Sequence, residues 1–142
     1  GCLMLLVGLA RSGPRSVAAR IGTVFLGIAS IGMAGAAIFP TDPEGAPLSR
    51  AGYIHGISFL PNVVSIIFAT VLLSVSFGSH PRWHAYRRTA VTLASLIVPA
   101  FVLQFLTLVL GAPPGLPNRL FVTVLLAWLL TTSIRLRALT HE

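Results

Sequence analysis

Apolar residues fall in five runs, at about residues 1–10, 21–39, 53–77, 89–110 and 118–136, separated by short stretches dense in Arg, Pro and Gly. A helix needs about 20 mostly apolar residues to cross roughly 30 Å of hydrocarbon. Four runs meet that length and the first is half of it. Only a helix satisfies its backbone within one span, and the short alternating strands of a transmembrane barrel are missing. The pattern therefore predicts an all-α fold, a polytopic transmembrane helix bundle forming one domain over residues 1–142. The first run is expected to be the C-terminal half of a helix that begins before Gly1, with an interfacial half-helix as the alternative.

Each run has its own character. In the second, Gly22, Ala29, Gly32 and Ala36 share one helical face, and Gly27, Ser30, Ala34 and Ala37 another. Small residues let helices approach closely in lipid, so this helix is expected at the centre of the bundle, contacted on two sides. Those faces also suit a second copy of the chain or another membrane protein. Pro61 lies inside the third run and Pro99 inside the fourth, where each removes a backbone bond and favours a kink. Gln104 is the only amide of the fourth run. Between the runs, Trp83 and Tyr86 suit the headgroup layer, residues 111–117 read as a rigid turn, and Arg135, Arg137 and His141 form a basic tail.

Composition agrees with lipid as the solvent. Only 9% of residues are charged and mean hydropathy is +0.89, against about 25% charged in a soluble domain. The net charge of +7 does not indicate nucleic acid, because the basic residues, all Arg, stand in short clusters between apolar runs. Such clusters are topology signals. Arg11, Arg15, Arg20, Arg82, Arg87, Arg88, Arg135 and Arg137 fall on one side of the predicted bundle, and only Arg50 and Arg119 on the other. By the positive-inside rule, the C-terminus is expected in the cytoplasm and loop 40–52 outside the cell membrane. Cys2 stands alone, so it forms no intrachain disulfide or cysteine metal cluster.

The candidate chemistry starts in the outer loop, where Asp42 and Glu44 are two of the three acidic residues. His55, Ser58, Asn62 and Ser65 follow in steps of three, four and three, which sets them on one helical face descending about 15 Å. One reading makes Asp42, His55, Ser58, Asn62 and Ser65 a polar site opening outward, with Asp42 orienting His55 or both holding a cation. The other makes Asp42 a cap or turn residue, leaves His55 at the interface, and gives the remaining three to interhelical hydrogen bonds. Two ligands do not complete a metal site, so no metal and no cofactor is expected. His80 and His84 are four apart, but Pro81 lies between them and no Glu is near, which favours solvated loop residues. No phosphate-binding Gly loop or nucleophile elbow is present.

Phe39-Pro40-Thr41-Asp42-Pro43 closes a small-residue helix, Tyr53-Ile54-His55-Gly56 opens the next, and Gly115-Leu116-Pro117-Asn118-Arg119 leads into a last helix containing a Trp. This order resembles the prokaryotic membrane family catalogued as domain of unknown function 998. The resemblance covers nearly the whole chain. It implies six membrane helices in the intact protein, of bacterial type, and transfers no activity.

The residues leave three functions open. The first is a non-enzymatic bundle that transports, senses or binds a small molecule at the outward polar site. A proton pump is disfavoured by the near absence of ionisable residues in the runs. The second is an intramembrane hydrolase-like enzyme using Asp42 and His55 in a catalytic pair. The third is a structural partner acting through the small-residue faces.

Overall fold

The computed structural model describes residues 1–43, 45–111 and 115–140. Glu44 of the acidic loop, residues 112–114 of the Pro-rich turn and His141 of the basic tail lie outside the described residues. The described residues form helices and connecting loops, with no strand: α1 (Cys2–Ser12), α2 (Val17–Ile38), α3 (Arg50–Ser76), a 3-10 turn (Phe77–Ser79), α4 (Pro81–His84), α5 (Arg87–Val109) and α6 (Gly115–Thr140). Among them α2, α3 with its 3-10 extension, α5 and α6 are long and apolar enough to cross a membrane, at 22, 30, 23 and 26 residues. α1 is a shorter apolar helix.

Local chemistry sets the helix starts. The Ser16 hydroxyl accepts from the Ala19 amide at 3.2 Å to open α2, and the Ser49 hydroxyl accepts from the Gly52 amide at 3.1 Å to open α3. Each satisfies a donor that the first turn leaves without an intrahelical partner. Pro81 stands at the start of α4, where its missing N–H costs nothing. α3 and α5 continue through Pro61 and Pro99.

The helices pack in a ring, α1–α2–α3–α5–α6, with α6 returning to α1, and α2 with α3 is the most extensive pair. Along that seam a Cβ at Gly22 would press on Leu72 and Leu73, and one at Gly32 would press on Asn62. Ala29 is fully buried and Ala36 half-buried. On the second small face Gly27 lies near Leu6 of α1, Ser30 is buried, and Ala34 and Ala37 are exposed.

α2 is contacted by α1 and by α3, and α3 is the more deeply buried of the pair. α3 buries eight residues, from Val63 to Ser76. α2 leaves Val24, Ile31 and Ile38 outward at 63%, 72% and 71% exposure. Small residues bring a helix close to its neighbours but cover little area, so close approach does not by itself bury a helix deeply.

The Arg-rich end is tied together by aromatic side chains. Trp83 is fully buried, stacked on Phe77 with ring centroids 4.5 Å apart, and its Nε1 donates to the Ser12 carbonyl at 3.1 Å. The Tyr86 hydroxyl sits 2.8 Å and 2.9 Å from the Thr131 and Thr132 hydroxyls of α6. Both rings have apolar bodies and polar tips. Inside a bundle that offers acceptors, such side chains pack as well as they do among headgroups. Deeper in, Trp128 Nε1 donates to Ser74 at 2.9 Å, and Ser74 reaches the Ala90 carbonyl of α5 at 3.1 Å. Arg82 donates to the Leu139 carbonyl, and Arg135 to the Arg82 carbonyl.

Candidate functional site

At the opposite end, the loop after α2 folds back over the first turn of α3. Asp42 Oδ2 accepts from the Ser49 amide at 2.8 Å. A Cβ on residue 52 would overlap the Asp42 carboxylate, so Gly52 is what admits it there. A negative charge over a helix N-terminus is favourable. Hydrogen bonding by Ser49, through its side chain first and then its amide, holds the Asp42 carboxyl below its ordinary value.

His55 is held from elsewhere. Its Nδ1 lies 2.7 Å from the Phe39 carbonyl at the end of α2. A carbonyl only accepts, so Nδ1 carries the hydrogen, which leaves Nε2 facing away from this contact. The Ser58 hydroxyl donates to the His55 carbonyl at 2.9 Å, within its own helix. Asn62 packs on Gly32 of α2, and its Oδ1 is buried without a partner. Ser65 is buried a turn further along. No hydrogen bond among the described residues joins Asp42 to His55, and none links Ser58, Asn62 and Ser65 to one another.

His55 instead meets residues of α5 and α6, the two helices that follow α3 around the ring. An open cavity of about 400 Å³ is lined by Thr41, His55, Gly56 and Phe59, and across from them by Gln104 and Leu108 of α5 and Gly115 and Asn118 of α6. Gln104 is only 5% exposed. Its Nε2 donates to Asn118 Oδ1 at 3.1 Å, while its Oε1 is buried without a partner. An amide oxygen in that state carries its full desolvation penalty.

In the neutral Nδ1–H tautomer His55 Nε2 is an acceptor, the Asn118 amide nitrogen is a donor, and Gln104 Oε1 is a buried acceptor beside them. An arrangement of this kind suits a neutral hydroxyl- or amide-bearing molecule, with Phe59 and Leu108 providing apolar contact. Among the described residues no group of three or more His, Cys, Asp or Glu side chains comes together. Thr41, Gln104 and Asn118 were not singled out as site residues in the sequence. The lone amide in an apolar run was the one available signal, because no spacing rule links residues on three helices.

A ring of helices, four of them long and apolar enough to span a bilayer, defines a multi-pass integral membrane protein. The model of the family described as "Protein of unknown function (DUF998)" matches residues 1–135. The chain belongs to that family, in agreement with its Pro-Thr-Asp-Pro turn and the following His. No curated protein and no solved structure matches it.

Proposed function

We propose that the chain is a non-enzymatic binding bundle of the cell membrane. Its outer end takes up a small neutral molecule rich in hydrogen-bond donors, for transport or sensing. The carrying observation is the cavity in which His55, Gln104 and Asn118 meet; the Gln104 Oε1 beside it is buried and unpartnered. His55 is the member of the predicted polar set that lines this cavity. In this reading Asp42 acts by fixing the loop, while Ser58, Asn62 and Ser65 support the α2–α3 seam.

The positive-inside distribution of Arg supports an outward orientation for the cavity and a cytoplasmic C-terminus. Catalysis by an Asp42–His55 pair is the weaker reading, because Ser49 engages Asp42 and the Phe39 carbonyl engages the nitrogen that Asp42 would have to orient.

Complementation of a deletion strain tests the proposal. His55→Ala and Gln104→Leu are expected to abolish complementation at normal membrane abundance. Asp42→Asn, which keeps an oxygen acceptor for the Ser49 amide, is expected to complement. Full complementation by both His55→Ala and Gln104→Leu would end the binding reading, and failure of Asp42→Asn alone would restore the catalytic one.

A further inference from the structure

A second cavity, of about 640 Å³, opens at the Arg-rich end between the α1–α2 turn and the segment joining α3 to α4. Arg11, Arg15 and Arg82 line it with His80, Ser16 and Ser79, and no Asp or Glu does so among the described residues. Asp42, the acidic residue within the described part of the chain, caps α3 at the opposite end. Arg11 and Arg15 thus line one space with no carboxylate of the described residues on its wall, so a bound anion gains from both charges. His80, which lines the cavity, has its Nδ1 buried without a partner.

The walls are fixed from behind. Trp83 Nε1 pins the Ser12 carbonyl, the Gly13 amide returns to the Leu9 carbonyl at 2.8 Å, and Pro14 is buried. The turn carrying Arg11 and Arg15 is therefore ordered before any ligand arrives, which lowers the entropy lost on binding. Arg82 is engaged by the Leu139 carbonyl.

We propose that this cavity binds a phosphate group, gripped by the Arg11 and Arg15 guanidiniums, whose planar forks match paired phosphate oxygens. The inference is independent of the outer cavity and of what binds there. The phosphate is carried either by an anionic lipid headgroup or by a soluble phosphate.

The test uses the full chain purified in neutral detergent. Binding is measured for a short-chain phosphatidic acid, for the diacylglycerol with the same chains, and for inorganic phosphate. Phosphatidic acid is expected to bind at least about tenfold more tightly than diacylglycerol, since hydrogen bonds to charged groups are the stronger class. Competition by millimolar inorganic phosphate identifies a soluble-phosphate site, and its failure to compete identifies a headgroup site. Both outcomes support the proposal.

Arg11→Gln with Arg15→Gln is expected to lose about tenfold or more in affinity, while Arg88→Gln with Arg137→Gln, which removes equal charge from the same end, keeps it. Should the first pair fail to assemble, Ser16→Asp keeps an N-cap acceptor for α2 and puts a competing carboxylate in the cavity. It is expected to abolish binding. Equal weakening by both Arg pairs, unchanged binding in Ser16→Asp, or no preference for phosphatidic acid over diacylglycerol would overturn the proposal.

Discussion

The two ends of the bundle use their polar groups in opposite ways. At the Arg-rich end side chains cross between elements: Trp83 to Ser12, Trp128 to Ser74, Ser74 to Ala90, and Tyr86 to Thr131 and Thr132. Toward the other end many polar groups turn back on nearby chain, as Asp42 does to Ser49 and Ser58 to its own helix. There His55 and the Gln104–Asn118 pair stand around an open cavity, with Gln104 Oε1 unpartnered.

A polar group with all its partners inside the protein holds the structure together. One buried without a partner stores a cost that only a ligand or a rearrangement removes. The contrast makes the buried Trp83, Tyr86 and Trp128 contacts of the Arg-rich end a lock beside its cavity, and the opposite end an opening. His80, whose Nδ1 is unpartnered at the locked end, lines the anion cavity.

The sharpest way to break this contrast is to attack the lock. Trp128→Ala removes a fully buried ring and the Nε1 hydrogen bond to Ser74, and is expected to cost about 3–5 kcal/mol in reversible unfolding from mixed micelles. A loss below about 1 kcal/mol would mean that this end does not hold the bundle.

A milder probe is Tyr86→Phe, which keeps the ring and deletes the contact with Thr131 and Thr132. Interhelical hydrogen bonds of this kind contribute about 0.6 kcal/mol and at most about 1.7, so the same assay is expected to register a small, definite loss.

At the opening the sign is expected to differ. Gln104→Leu removes the unpartnered oxygen along with its bond to Asn118, and is expected to leave stability unchanged or slightly raised. A loss as large as that of Trp128→Ala would show that the outer end is a lock as well.

The smallest effect belongs to Asp42. Its folded-state carboxyl titrates below the ordinary 3.8, so the stability it adds is fully present above the unfolded value. That stability is lost as pH falls through the lowered folded one. Wild type is therefore expected to lose this increment on the acid side, whereas Asp42→Asn shows no such limb. An identical acid limb in melting curves of the two proteins would remove Asp42 from the account.

The fold class could be read from run length alone, because the bilayer sets how many apolar residues a helix must show. Contacts between helices could not be read in that way. Trp83 looked like a headgroup residue because an indole with one donor fits an interface and a buried acceptor equally well, and Ser12 lies far from it in the chain. Gly22 and Gly32 of α2 lie close against α3 while Ala34 and Ala37 are exposed, and α3 buries larger residues such as Ile66 and Leu73. The helical spacing of His55, Ser58, Asn62 and Ser65 describes one helix face. Spacing along one helix carries no information about Gln104 and Asn118, which reach the cavity from α5 and α6.

The most direct test of an outward opening against a cytoplasmic lock is cysteine labelling in intact cells. On a Cys2→Ser background, His55→Cys and Ser79→Cys are each exposed to a membrane-impermeant maleimide. Position 55 is expected to label from outside, and position 79 only after the cells are permeabilised. Labelling at 79 with protection at 55 would contradict both the orientation and the open outer cavity.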